Sequence, residues 1–121
     1  MNNLNLGFIG VGLMGLSLVK RLSNLGYKID AYDKNLKKLE PLKKISNVRL
    51  NQKASEVSQN NNIIILCVDK TESVKEVVFG KDGLVNNAHN DSIILDLSTT
   101  LANETIDFSN QLNNKTGASW V

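Results

Sequence analysis

Apolar positions along this chain follow two alternating rhythms. Leu6, Phe8 and Ile9 form a short apolar run that breaks at once into Gly10-Val11-Gly12-Leu13-Met14-Gly15. From Ser17 to Leu25 the apolar residues Leu18, Val19, Leu22 and Leu25 recur at helical spacing, and Gly26 stands where a C-terminal cap belongs. Tyr27 to Tyr32 alternates as a strand does. Asn35 can cap a helix running to about Ile45, with Pro41 expected to kink or restart it. Val48-Arg49-Leu50 reads as a third strand, Ala54 to Gln59 as a short helix and Asn60-Asn61-Asn62 as a turn. The continuous β-branched run from Ile63 to Val68 has the pattern of a central parallel strand covered on both faces. A helix from Thr71 to Val78, a loop over Gly80 to Gly83, a strand from Ser92 to Asp96 and a helix from Ala102 to Leu112 follow. A sixth strand begins at Ala118. Repeated strand–helix units of this kind predict an α/β fold: a Rossmann-type, doubly wound parallel sheet in three layers, with residues 1–121 as a single domain.

The opening motif adds chemistry to this pattern. Strand, Gly-x-Gly-x-x-Gly and helix, in that order, are what a dinucleotide-binding turn requires. Gly10 permits the tight turn, Gly12 lets the backbone approach a pyrophosphate, and Gly15 lets the new helix pack on its strand. The first amides of that helix, at the positive end of its dipole, would face the phosphates. Asp33 ends the second strand eighteen residues past Gly15, near the spacing of about 20 expected for a carboxylate on the adenosine ribose hydroxyls. A carboxylate there accepts from a free 2′-hydroxyl and repels a 2′-phosphate, so NAD is expected over NADP. Lys34 beside it offsets part of that repulsion and keeps NADP possible. In such a sheet ligands bind at the carboxyl ends of the strands, which places Gly10 to Gly15, Asp33, Cys67 to Thr71 and Asp96 to Thr100 on one rim.

Composition narrows the partners. Fourteen basic and twelve acidic residues leave a net charge of +2, too balanced to argue for nucleic acid or an anionic membrane. The lysines between Lys34 and Lys44 read as a solvated face. One cysteine gives no internal disulfide and no metal set. Absence of a signal peptide or apolar span makes the cytoplasm the expected compartment. His89 lies in a polar loop, Asn86 to Asp91, with no obvious acid or nucleophile partner, and Cys67 reads as a small packing residue.

Gly7-Phe8-Ile9-Gly10-Val11-Gly12-Leu13-Met14-Gly15, the stretch Val74 to Leu84 with its Gly80-Lys81-Asp82-Gly83 loop, and Asp96-Leu97-Ser98-Thr99-Thr100 together resemble the β-hydroxyacid dehydrogenase family. That family includes 3-hydroxyisobutyrate dehydrogenase and tartronate semialdehyde reductase and is related to 6-phosphogluconate dehydrogenase. The resemblance runs through essentially all of the chain, with Val11 in place of the family's leucine. It implies a nicotinamide cofactor held by Gly10, Val11, Gly12, Leu13, Met14, Gly15, Asp33 and Lys34. Cys67, Val68, Asp69 and Thr71 would run under its adenosine and nicotinamide-side ribose. Ser98 and Thr99 would hold a substrate carboxylate; the same two residues also suit a helix N-terminal cap.

The sequence departs from the family in places. Asp69 stands where proline is usual, and Ala102-Asn103 replaces a later proline. The sequence given ends at Val121, where the family continues into Asp-Ala-Pro-Val-Ser-Gly-Gly and then a helix with the general acid/base lysine. The resemblance therefore implies the cofactor domain of a longer oxidoreductase that moves hydride between nicotinamide and a small 3-hydroxy acid. The all-helical second domain and the catalytic residue would lie outside these residues, homo-oligomers would belong to the full-length protein, and Trp120 would pack on the remainder and stand exposed here. Two other readings stay open: a non-catalytic dinucleotide-binding module, and the cofactor domain of an imine reductase.

Overall fold

The structure is a computed structural model that describes residues 4–98 and 100–121. Among these, strands β1 (Asn5–Ile9), β2 (Lys28–Tyr32), β3 (Val48–Leu50), β4 (Ile63–Leu66), β5 (Ile93–Asp96) and β6 (Ser119–Trp120) form one sheet. All pairings are parallel, in the order β3-β2-β1-β4-β5-β6. The order reverses between β1 and β4, where Leu6 to Ile9 pair with Ile63 to Leu66. Four helices connect the strands: α1 (Leu13–Asn24), α2 (Ala54–Asn60), α3 (Thr71–Phe79) and α4 (Ala102–Thr116).

Two-residue alternation in the strands sorts the apolar side chains into two cores, giving the three layers. Phe8, Ile29, Ala31 and Ile65 face α1 and join Val19, Leu39 and Leu42. Ile9, Ile64, Leu66 and Ile94 face the other way, against Val57, Val74, Val78, Phe108 and Leu112 from α2, α3 and α4. β1 and β4 are buried on both faces, which is why their sequences are almost unbroken runs of apolar residues and glycine.

The structure differs from the sequence-based expectation in several places. α4 runs one turn past Leu112 to Thr116, and β4 ends at Leu66 rather than Val68. The helix expected between Asn35 and Ile45 is a 3-10 helix over Leu36–Leu42. Pro41 has no N–H to donate and its ring crowds the preceding turn, so the segment closes with shorter-range bonds such as Lys43 N to Glu40 O at 3.2 Å. The Asn35 cap itself is present, its side chain accepting from the Lys37 amide at 3.1 Å. α1 begins at Leu13, because the helix starts inside the glycine motif. Trp120 is half-buried: its ring lies 6.3 Å from Phe108 and its indole N–H donates to Asp96 at 3.2 Å.

One polar cluster is built into the β2–β3 edge. Asp30 is 6% exposed and takes two bonds from its cross-strand partner Arg49, at 2.5 and 2.9 Å. Asn61 donates to it at 2.7 Å. Burial pushes the Asp30 carboxyl upward, but the bonds from Arg49 and Asn61 outweigh it and hold the group below its ordinary 3.8. A carboxyl depressed on folding stabilises the protein above the unfolded value and loses that contribution as pH falls through the folded one. Arg49→Met should therefore lower stability at neutral pH, and the gap from wild type should close as pH drops below 3.8. Since the Arg49 side chain is 63% exposed, solvent screening limits the gap to about 1 kcal/mol. Urea midpoints between neutral and strongly acid pH check this; a gap independent of pH would exclude the ion pair as its source.

Candidate functional site

The rim where the strand order reverses is built from four loops. After β1 the chain turns at Gly10, whose φ of +97° only glycine adopts readily. A Cβ there would also run into the carbonyl of Cys67 at the end of β4, and a Cβ on Gly15 would run into the carbonyl of Gly10. These two glycines are required by the protein's own packing. Gly12 is different. It caps α1 with ordinary extended angles, φ −74° and ψ −165°, and a Cβ there would meet nothing within 4 Å. Nothing inside the chain calls for glycine at this position, and it opens on the groove in front of the unpaired amides of the first turn of α1.

Asp33 holds this turn in place. It is 8% exposed; one carboxylate oxygen accepts from the Val11 amide at 2.7 Å and the other from the Asn35 amide at 2.8 Å. The acid at the end of β2 thus clamps the glycine turn to the chain that follows it. Val11 gives its amide to this clamp and its side chain to the core.

Beyond β4, Cys67 donates its amide to Ile9 at 2.8 Å. Burial, and then the charge of Asp96, push its thiol above 9.0, so it is a protonated packing group at neutral pH. Ser98 ties two loops together: its hydroxyl accepts from the Val68 amide at 2.9 Å, while its own amide donates to Asp96 at 2.8 Å. Thr71 accepts from the Leu101 amide at 3.2 Å. Thr99 lies outside the described residues. His89 is exposed, accepting at Nδ1 from the Asp91 amide at 3.2 Å. Among the described residues no group of acids, histidines or cysteine could hold a metal, and no helix is long and apolar enough to cross a membrane.

These loops enclose a groove of about 520 Å³. Gly10, Gly12, Leu13, Met14 and Gly15 line one side, Asp33 and Lys34 one end, and Cys67, Val68 and Asp69 the opposite wall. The groove thus brings together ten of the fourteen residues singled out from sequence. Val11, Thr71 and Ser98 do not line it, although Leu97 beside Ser98 does. Sequence reasoning missed Asn35, Lys38, Ser73 and Val77. The last two were readable in principle: they sit one turn apart on α3, beside the buried Val74 and Val78. A smaller cavity of about 200 Å³ adjoins the groove and shares Lys34, Ser73 and Val77 with it.

Comparison with known proteins accounts for this architecture. Residues 5–121 match the family model described as the NAD binding domain of 6-phosphogluconate dehydrogenase. The chain belongs to this family. As a member it is an NAD-binding domain of the oxidoreductase type, and the β-hydroxyacid dehydrogenase resemblance holds. "Uncharacterized oxidoreductase YkwC" of Bacillus subtilis is 28% identical over 95 residues, 78% of this chain and 33% of the relative. "Cytokine-like nuclear factor N-PAC" of Pongo abelii is 25% identical over 112 residues, 93% of this chain and 20% of the relative. "Probable 3-hydroxyisobutyrate dehydrogenase-like 3, mitochondrial" of Arabidopsis thaliana is 22% identical over 95 residues, 78% of this chain and 30% of the relative. The chain thus spans a third or less of these relatives. Among solved structures, an imine reductase variant from Myxococcus stipitatus in complex with NAD+ superposes with a TM-score of 0.86 at 17% identity. That match covers 98% of this chain and 40% of the other. The imine reductase from Myxococcus stipitatus in complex with NADP+ gives 0.85 at 18% identity, covering 96% and 39%. At these identities the likeness is one of fold.

Proposed function

We propose that residues 1–121 are the cofactor domain of a longer oxidoreductase that transfers hydride between nicotinamide and a small 3-hydroxy acid. The observation that carries this reading is Gly12: a glycine with room for a side chain, facing an open groove at the start of a helix, inside a matching family model. The residues present fit a dinucleotide. Gly12 and the first amides of α1 would receive the pyrophosphate, and the groove-facing lone pairs of Asp33 the adenosine ribose hydroxyls. Leu13, Met14, Val68 and Asp69 would line the path to the nicotinamide. When bound, the nicotinamide supplies the hydride chemistry.

The chain's own contribution is orientation. Ser98 accepts from Val68, which leaves its O–H free to donate to a substrate carboxylate. Thr99 beside it would add a second hydroxyl. The Lys34 ammonium and the Cys67 thiol in the groove are both pushed upward, away from neutrality. The family resemblance assigns proton transfer to a lysine beyond this domain, and the domain alone should bind nucleotide without turnover. A non-catalytic module is the second reading, favoured by the similarity to a relative named as a nuclear factor.

Calorimetric titration of the chain with NAD+ and NADP+ tests the binding. Absorbance at the reduced-nicotinamide band, with 3-hydroxy acids or a cyclic imine offered to a full-length protein carrying this domain, tests the chemistry. Binding with turnover of a 3-hydroxy acid supports the dehydrogenase; binding with no turnover of any 3-hydroxy acid or of a cyclic imine supports the module.

A further inference from the structure

The end of the groove next to Asp33 carries charges that the ribose-binding acid does not explain. Lys34 follows Asp33 directly and lines both the groove and the smaller cavity. Its ammonium is held by Glu76 of α3 at 2.9 Å, an ion pair that bridges the end of β2 to α3 across the boundary between the two cavities. Lys38, from the 3-10 turn, also lines the groove and makes no ion pair among the described residues. Four charges thus surround the place where a ribose 2′ substituent would lie: Asp33 and Glu76 negative, Lys34 and Lys38 positive. They cancel.

Resting on the dinucleotide reading above, we propose that Glu76 is a specificity-determining residue of this chain, which disfavours NADP by holding Lys34 away from the 2′-phosphate. A free 2′-hydroxyl needs only the lone pairs of Asp33 and is indifferent to Glu76. A 2′-phosphate brings close to two negative charges and needs cations. With Glu76 in place, Lys34 must give up one anion to meet another, and the Glu76 carboxylate remains nearby to repel the phosphate. Without it, the end of the groove carries one net positive charge and a released ammonium. Lys34 and Glu76 are 72% and 60% exposed, so the exchange takes place in water and its effect on affinity is modest. The same exposure makes both positions safe to substitute. The hydrogen bond that Lys34 donates to Glu76, with the carboxylate's charge, holds the Lys34 ammonium above its ordinary 10.5, so Lys34 is fully charged at neutral pH.

Calorimetry with NAD+ and NADP+ on four forms of the chain tests this: unsubstituted, Glu76→Gln, Lys34→Met and the double variant, each checked for folding by circular dichroism. Glu76→Gln should tighten NADP+ binding roughly three- to fivefold and change NAD+ binding less than twofold. In the double variant the gain should fall to the small part that lost repulsion alone supplies, and it should shrink in high salt because the groups are exposed. A Glu76→Gln variant that leaves the NADP+ to NAD+ ratio unchanged overturns the proposal, as does a gain that Lys34→Met leaves undiminished. If the unsubstituted chain binds neither nucleotide, the dinucleotide reading falls and takes this one with it; if both bind and the ratio does not move, this one falls alone.

Discussion

Replacing Gly12 with valine should remove most of the dinucleotide affinity of this chain while leaving its melting temperature within about 5 °C of the unsubstituted value. The two halves of that result have separate causes. On the stability side, Gly12 uses backbone angles open to any residue, and a Cβ would meet no atom within 4 Å. The cost is that of exchanging glycine for a poorer N-cap residue, about 1 kcal/mol. On the binding side, the same empty space is where a pyrophosphate must come close to the amides at the start of α1. A valine side chain keeps the phosphates at a distance and removes charge-assisted hydrogen bonds, each worth about 1.5–3 kcal/mol, so affinity should fall about 10- to 100-fold. Gly15→Ala should do the reverse at the level of the fold. Its Cβ runs into the Gly10 carbonyl, and relieving that contact should cost about 1–3 kcal/mol with or without ligand. Thermal melts alongside calorimetry separate the cases; a Gly12→Val chain that binds as tightly as wild type would end the assignment of this groove to a pyrophosphate.

Asp33→Ala is expected to damage both properties at once. Its carboxylate satisfies the Val11 and Asn35 amides, and the two losses are unequal. Asn35 is exposed and its amide can turn to water. Val11 is 3% exposed, so its amide would be stranded. An unsatisfied buried donor, together with a lost bond to a charged acceptor, should cost about 2–3 kcal/mol, or roughly 10 °C in melting temperature. The glycine turn would then lose the clamp that fixes it against β2, and nucleotide affinity would fall further than the ribose contacts alone account for. Asp33→Asn, which keeps one acceptor oxygen, should recover part of the stability. An Asp33→Ala chain as stable as wild type would show that the clamp contributes nothing to the fold.

These two residues also mark how far the sequence could be read. The central strands were legible because a central parallel strand has to be apolar on both faces, and the short apolar runs at Ile63–Leu66 and at residues 93–95 suit little besides such a strand. The glycine turn was legible because spacing alone carries its geometry. Asp33 was legible as a residue of the rim but not as a clamp, since its partner Val11 is a backbone amide that no side-chain pattern reveals. The 3-10 turn escaped because Pro41 permits several outcomes and packing selects one. Lys34 and Glu76 lie far apart in sequence, and only the crossover from β2 to α3 brings them together. The partial burial of Trp120 escaped because its neighbours in the sequence say nothing of Phe108, which covers it from α4.

The Gly10 turn has a further consequence, in time rather than space. Its floor is the Cys67 carbonyl, and its strand pairs with β4, whose residues 63–66 come long after residues 5–9 in the chain. The β1–α1–β2 segment can close early, since its contacts are local. The groove cannot exist until the chain has returned from β3 and laid β4 beside β1, a non-local closure of the slow kind. During synthesis and refolding alike, nucleotide therefore meets a chain that is already mostly committed. It can slow the unfolding of the finished domain, but the complete groove forms too late to hasten the assembly.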